Sequence, residues 1–84
     1  MSAELPRSAL IVLDFLATRG PHSPKSISTN AKLPLRTVSF ALRQLRRLHL
    51  CRRIPNLHDM RQPLYLADPE KAKMLFRTIG GILA

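Results

Sequence analysis

The clearest apolar pattern in the chain runs through LPLRTVSFALRQLRRLHL, residues 33–50. Its apolar positions recur at i, i+3, i+4 and i+7, the spacing of an amphipathic helix with one buried face. They are Val38, Ala41, Leu42, Leu45 and Leu48. At about 100° per residue, the opposite face of this helix carries one aromatic and a row of polar side chains. These are Arg36, Phe40, Arg43, Gln44 and Arg47.

A first helix is predicted in LPRSALIVLDFLATRG, residues 5–20. Pro6 suits a first helical position, and Gly20 followed by Pro21 is a stop signal. The apolar side chains occur nearly all round this helix, which indicates burial on more than one side.

A short second helix is predicted in SPKSISTNAKL, residues 23–33. Ser23 is the expected N-cap, and Pro24 occupies the favoured position after it. About two turns fit before Pro34, because the residue preceding a proline is biased away from helical backbone.

A β-hairpin is predicted after the amphipathic helix. Two β-prone runs, LCRRIP (50–55) and PLYLAD (63–68), flank the polar loop NLHDMRQ (56–62). Pro63 is tolerable there at a strand start or edge.

A last helix begins with Asp68 as N-cap and Pro69 behind it, and the pair Gly80–Gly81 should end it near Ile79. The predicted fold is therefore mostly α with a small β-hairpin (α+β), in a single domain of residues 1–84.

The charge of the chain is concentrated in one region. The net charge is +9, and residues 25–61 account for +8 of it, with nine Lys/Arg residues and one acid, Asp59. Such a field attracts polyanions, namely nucleic acid or an anionic membrane surface. A charged outer helix face can also be a merely solvated face, but the uniform sign over helix and hairpin favours a polyanionic partner.

Other chemistry has little support. No apolar run approaches the ~18–20 residues of a membrane span, so we expect a soluble, cytoplasmic, nucleoid-associated protein without a membrane partner. Paired carboxylates, a Gly-rich loop and a nucleophile elbow are missing, and an enzyme is not predicted. No cofactor is expected. His22, His49, His58 and the lone Cys51 lack a standard metal spacing, although Cys51 and His58 could approach across the hairpin to sense a metal.

The segment SPKSISTNAKLPLRTVSFALRQLRRLHLCRRI resembles the helix-turn-helix of MarR-like and ArsR-like transcriptional regulators of bacteria and archaea. The residues that carry the resemblance are Ile27, Ala31, Leu33, Thr37, Val38, Leu42, Leu45, Leu48 and Leu50. Lys32 and His49 stand near positions where such regulators often have glycine. A non-glycine residue can adopt left-handed backbone at modest cost, so these departures leave the expected fold unchanged.

The resemblance covers about residues 8–67 and implies a winged helix-turn-helix. It assigns the helix-turn-helix to about 23–49, the wing to about 50–67 and a C-terminal helix to about 69–79. In such a protein the third helix enters the major groove of double-stranded DNA and the wing enters the adjacent minor groove. The implied function is sequence-specific DNA binding by a transcriptional regulator.

Residues near the start of the third helix, Arg36 to Phe40, are expected to reach base edges, while outlying Lys and Arg residues meet phosphates. Gln44 could pair with adenine and Phe40 could contact a thymine methyl. An equal alternative for Phe40 is a buried contact with the wing or another chain. The predicted DNA-binding residues are Lys25, Lys32, Arg36, Thr37, Ser39, Phe40, Arg43, Gln44, Arg47, Arg52, Arg53, Asp59 and Arg61, with Arg46 as a further phosphate contact.

Two hypotheses for the lone loop acid, Asp59, remain open. The resemblance implies that Arg61 enters the minor groove and that Asp59, two residues earlier, orients its guanidinium in a fork geometry. Asp59 could equally be an ordinary turn residue.

The last predicted surface is apolar. The C-terminal helix offers Ala72, Met74, Leu75, Phe76, Ile79, Ile82 and Leu83. With the first helix, these side chains favour a two-fold homodimer over packing onto the chain's own core. A dimer of this kind predicts recognition helices about 34 Å apart and a palindromic DNA site. Two alternative functions stay open: an architectural protein that coats DNA without preference, and a winged-helix module that binds other proteins.

Overall fold

A computed structural model describes the backbone of residues 5–83 and the side chains of residues 5–78. Its elements in chain order are α1 (Arg7–Arg19), α2 (Pro24–Ala31), α3 (Leu35–Arg47), β1 (Cys51–Ile54), β2 (Leu64–Ala67) and α4 (Pro69–Leu83). The two strands pair antiparallel, with Cys51 opposite Ala67 and Ile54 opposite Leu64. The mostly α architecture with one small hairpin is confirmed. No helix in the described part of the chain is long and apolar enough to cross a membrane.

The core lies between α1 and α3 and is closed by α2 and the hairpin. Its largest fully buried side chains are Val12, Leu13, Leu16, Ile27, Val38, Leu42 and Leu45. Each such side chain contributes about 1.5–3 kcal/mol on burial. The inner face predicted for α3 is confirmed at Val38, Ala41, Leu42 and Leu45, and this fixes which side of α3 faces outwards.

Two non-glycine residues that follow helices adopt left-handed backbone. Lys32 caps the C-terminus of α2 with φ 57° and ψ 45°. His49 follows α3 with φ 62°. At both places the chain must reverse after a helix, and a non-glycine residue meets that need at modest cost.

The predicted N-caps also form. Ser23 Oγ accepts a hydrogen bond from the backbone N of Ser26 at 3.2 Å, and Asp68 Oδ1 accepts one from the backbone N of Lys71 at 3.0 Å. These two bonds satisfy backbone donors that the first turns of α2 and α4 would otherwise leave unpaired.

Three boundary predictions are wrong. Pro6 is the N-cap of α1 in extended backbone, with φ −60° and ψ 157°, and not its first helical residue. Leu48 is 40% exposed because α3 ends at Arg47, and Leu50 occupies the buried position instead. Helix α4 continues past Ile79 through the glycine pair to Leu83. A helical glycine costs only about 1 kcal/mol and is sterically permitted, so two of them do not force an end.

The apolar residues outside the core divide between covered and uncovered positions. In α1, Leu10 is half-buried and Ile11 is 38% exposed, so residues 5–78 bury only one side of this helix. In α4, Ala72 is buried and Leu75 and Phe76 pack against the core. The predicted apolar residues Ile79, Ile82 and Leu83 lie outside the described side chains.

Candidate nucleic-acid interface

The outer face of α3 is a row of basic side chains with one aromatic among them. Arg36, Phe40, Arg43 and Arg47 are all exposed and follow one another at helical spacing. Their exposure follows from the buried stripe on the other side of α3, which takes every large aliphatic residue from Val38 to Leu45. The first turn of α3 has no acidic residue and its last turn carries Arg46 and Arg47.

Two residues of this face differ from the rest in exposure. Thr37 and Gln44 are half-buried, whereas Ser39 is exposed. Within the described residues, Gln44 Oε1 is buried and has no hydrogen-bond partner. A buried carbonyl oxygen without a hydrogen-bond donor costs free energy. Rotation of the Gln44 amide towards an approaching donor would therefore be favourable.

Phe40 is 53% exposed. It therefore makes no buried contact with the hairpin of its own chain, and that half of the alternative is wrong. The ring remains available to a base edge or to another chain.

Lysines flank the outer face of α3 at both ends of α2. Lys25 is exposed in the first turn of α2, and Lys32 is exposed at its C-cap. The left-handed backbone of Lys32 sets the angle between α2 and α3, since only two residues separate it from Leu35.

The hairpin meets α3 at a shallow cavity of about 210 Å³, which none of the patterns along the sequence predicted. Its lining comes from α2, α3 and β2: Pro24, Ser39, Leu42, Arg43, Arg46 and Tyr65. Tyr65 is held there by two backbone hydrogen bonds with His22, at 2.8 and 3.2 Å. Because these bonds join residues 43 positions apart, no local signal could reveal them.

Arg52 and Arg53 are consecutive on β1, so their side chains point to opposite faces of the hairpin. Arg53 is the cross-strand partner of Tyr65, and cross-strand partners share a face. Arg53 thus lies on the same face of the hairpin as Tyr65, which is the face towards α3. Arg52 instead lines a cavity of about 320 Å³ with Lys71 of α4. The structure therefore separates two arginines that the sequence grouped together.

The hairpin loop is held by side chains that accept hydrogen bonds from its backbone. Asn56 Oδ1 accepts from the backbone N of His58 at 3.0 Å and of Asp59 at 3.4 Å. Asp59 Oδ1 accepts from the backbone N of Arg61 at 3.1 Å, and Oδ2 accepts from Nε2 of Gln62 at 3.3 Å. This is the local bonding of Asx turns. Asn56 was not among the predicted site residues, although Asn at the start of a polar loop is a turn signal.

The contact between the Asp59 carboxylate and the Arg61 guanidinium is long and single. Arg61 Nε lies 3.5 Å from Asp59 Oδ1, and the Arg61 side chain is 92% exposed. A fork pair has two parallel N–H···O bonds of about 2.7–2.9 Å. The predicted fork geometry is therefore wrong, and the shorter bond of Asp59 is to the backbone. The geometry favours the turn hypothesis.

Cys51 is a buried thiol within the core. Burial raises its pKa from 9.0 to about 11, and the charge of Arg46 partly offsets that rise. Its Sγ lies 3.9 Å from the carbonyl oxygen of Leu42, which ties β1 to α3. Within the residues that the structure describes, no group of three or more His, Cys, Asp or Glu side chains could hold a metal ion. The metal-sensing alternative thus finds no ligand set there.

Solved structures with this arrangement include transcriptional regulators. BpsR of Bordetella bronchiseptica, whose DNA binding is regulated by 6-hydroxynicotinic acid, superposes with a TM-score of 0.82 at 19% identity, covering 94% of this chain and 56% of that one. The regulator BldR of Sulfolobus solfataricus gives 0.77 at 18%, covering 90% and 54%. The MarR family regulator SP03579 gives 0.79 at 16%, covering 93% and 53%.

The chain has a winged-helix fold. Helices α2 and α3 are its helix-turn-helix, and the β1–β2 hairpin is its wing. No family model and no curated protein matches the sequence. The chain spans little more than half the length of these solved structures. At such identities the likeness establishes the fold, and the case for a function rests on the residues of the chain itself.

Proposed function

We propose that the protein is a sequence-specific transcriptional regulator of the cytoplasm and nucleoid that binds double-stranded DNA. Helix α3 enters the major groove and the wing enters the adjacent minor groove. The observation that carries the proposal is the outer face of α3, where every charged residue is an arginine: Arg36, Arg43 and Arg47. A uniform row of this kind on the second helix of a helix-turn-helix suits a phosphate-lined groove.

Base reading is assigned to arginine, polar and aromatic residues on the outer side of α3. Arg36 and Arg43 can each grip a guanine through two hydrogen bonds, and Phe40 can contact a thymine methyl. Ser39 can contribute a single bond. Gln44 can rotate its half-buried amide toward adenine, which would also give its buried oxygen access to a donor.

Phosphate contacts are assigned to basic residues around this helix. They are Lys25, Lys32, Arg46, Arg47 and Arg53. Such contacts supply affinity and register without sequence information. Arg61 is assigned to the minor groove, where a narrow A·T-rich segment attracts an exposed guanidinium.

We further propose that the protein acts as a homodimer through α1 and α4, with no enzymatic activity and no resident cofactor. The exposed apolar side chains Ile11 on α1 and Met74 on α4 support a partner surface. Two recognition helices related by a two-fold axis read half-sites one DNA turn apart, so the preferred site is a palindrome.

In vitro selection of bound DNA from a random pool tests the proposal. We expect a palindrome with half-site centres about 10 base pairs apart. A pool that stays random while binding remains strongly salt-dependent would instead indicate an architectural protein. Absence of binding at low salt would indicate a protein-interaction module.

The same assay identifies the reading face when variants are compared. Arg43→Ala should lose about 1–3 kcal/mol of binding free energy at the selected site and relax the preference for one base. Lys73→Ala is the matched control, because Lys73 is an exposed base on α4 outside the basic segment. Equal losses for both variants would contradict the assignment of α3.

A further inference from the structure

The outer face of α1 carries a stripe of two apolar side chains between two opposite charges. Its members are spaced i, i+3, i+4 and i+7, and they lie opposite the buried face of the helix: Arg7, Leu10, Ile11 and Asp14. Together with Leu5 and Phe76 they line an open groove of about 690 Å³. No side chain within residues 5–78 fills this groove, so a mainly apolar depression with one charge at each end faces outwards.

The two charges of the stripe have no oppositely charged partner among residues 5–78. Arg7 and Asp14 are separated by seven residues, which is about 10.5 Å along a helix. Within residues 5–78, neither residue takes part in an ion pair. The remaining charged side chain of α1, Arg19, already lies 5.3 Å above the ring of Phe15.

The stripe is symmetric about its own centre. The midpoint between Arg7 and Asp14 coincides with the midpoint between Leu10 and Ile11. A two-fold axis that passes through this point perpendicular to α1 places α1 of a second chain antiparallel to it, because such an axis reverses the direction of a helix. It brings Arg7 opposite the partner's Asp14 and Leu10 opposite the partner's Ile11. Each contact occurs twice, as an isologous interface requires.

We propose that a second copy of this chain occupies the groove, with α1 packed antiparallel against the partner's α1 and Arg7 paired with the partner's Asp14. The inference rests on the homodimer of the proposed function and is independent of the DNA assignment. The apolar side chains supply the buried area. The charge pairs set the direction and register of the helices, since a parallel arrangement would place like charges together.

Charge reversal tests this pairing. Arg7→Asp puts acids at both ends of the stripe, and Asp14→Arg puts bases at both ends. Each single variant therefore opposes like charges twice in its own homodimer, and its dissociation constant should rise at least about tenfold. The double variant Arg7→Asp/Asp14→Arg restores both pairs and should dimerise like the original chain.

Mixing the two single variants supplies the decisive arm. One chain then carries only acids on the stripe and the other only bases, so a heterodimer should form at concentrations at which neither single variant dimerises. Sedimentation velocity measures whether monomers, homodimers or heterodimers are present. The buffer should be low in salt, because at physiological salt the Debye length is only about 8–10 Å and surface charge pairs are weakened. Circular dichroism confirms that each variant is folded, which the recovery in the double variant checks independently.

Unchanged homodimers of both single variants would overturn the α1 pairing but would leave a dimeric DNA-binding protein. A monomeric original chain at about 100 µM, between the micromolar and millimolar dissociation constants of weak complexes, would overturn the pairing and the proposed dimer together. In either case, the in vitro selection of DNA tests separately whether the protein binds DNA with sequence specificity.

Discussion

At the scale of single residues, the hydrogen bonds of the wing loop give its acidic and its basic residue different roles. Asp59 binds backbone and side-chain donors within the loop, while the guanidinium of Arg61 extends into solvent and makes one long contact. The carboxylate therefore stabilises the shape of the loop, and the loop presents Arg61. Two residues that the sequence pairs as partners have different roles in this geometry.

The separation of these roles predicts different effects for two substitutions. Arg61→Ala should weaken DNA binding most at A·T-rich flanks, because a narrow minor groove attracts a guanidinium most strongly. Asp59→Asn keeps an acceptor oxygen for the backbone N of Arg61 and should change affinity by less than about fivefold, the upper end of the ~0–1 kcal/mol of an exposed ion pair. Titration of A·T-rich and G·C-rich flanking sequences measures both effects.

Two results would contradict this prediction. An equal loss for Arg61→Ala at both flanks would remove the minor-groove assignment. A loss for Asp59→Asn as large as that for Arg61→Ala would restore the orienting hypothesis.

Cys51 makes the stability of the domain depend on pH in the alkaline range. The folded chain holds the thiol proton up to about pH 11, whereas an unfolded chain loses it near 9.0. Between these values the unfolded state binds fewer protons, so the free energy of unfolding falls as pH rises. Below pH 9 the contribution is fully present. Urea unfolding at pH 8 and pH 10.5 should show a smaller decline for Cys51→Ala than for the original chain, and equal declines would contradict the burial of the thiol.

At the scale of the elements, the wing presents two arginines on opposite faces. Arg53 shares the α3-facing side with Tyr65, and Arg52 lies on the side of Lys71. Only Arg53 can therefore bind phosphate on the same side as α3. Arg53→Ala should therefore lower the slope of log K against log salt by about 0.9, the value for one phosphate contact. Arg52→Ala should leave the slope unchanged, and is the matched control because it removes the same charge from the neighbouring residue.

Measurements of affinity from about 50 to 200 mM salt give both slopes. Equal reductions for the two variants would indicate that the wing contacts phosphates on both of its faces. A reduction for Arg52→Ala alone would reverse the assignment of the faces.

The elements themselves were largely predictable from the sequence because they depend on local signals. The periodicity of Val38, Ala41, Leu42 and Leu45 defines the inner face of α3, and Ser23 and Asp68 act through their nearest backbone donors. These determinants lie within one or two turns of each other. The prediction of helix ends was weaker, because the Gly80–Gly81 pair permits two outcomes that differ by about 1 kcal/mol per glycine.

The less predictable features depend on contacts between distant elements. The half-burial of Gln44 and the position of Tyr65 beside α3 follow from how the hairpin folds back, through bonds such as those between His22 and Tyr65. Arg52 and Arg53 point to opposite faces because they are consecutive on a strand, but which of them faces α3 depends on the pairing register with β2. Sequence periodicity therefore identified the basic face of α3, and tertiary structure decided which wing residues join it.

At the scale of the whole molecule, the proposed homodimer would link stability to assembly. An 84-residue chain is small enough to bury only about 60–65% of the surface that its unfolded state exposes. The uncovered stripe on α1 leaves apolar area that a second copy would bury. A domain stabilised in this way should melt at a temperature that depends on protein concentration, because dilution favours the separated chains.

For two chains of this length, a tenfold increase in concentration should raise Tm by about 4 °C, from the average entropy of unfolding per residue. Differential scanning calorimetry between about 5 and 500 µM, in the range where weak homodimers form, measures the shift. Ile11→Lys places a charge at the centre of the α1 stripe and should abolish the dependence. Thr29→Lys adds the same charge at an exposed site on α2 and should preserve it. A Tm that is constant with concentration in the original chain would mean that the monomer is the complete folding unit. Any two-fold DNA site would then have to be read by chains that meet only on the DNA.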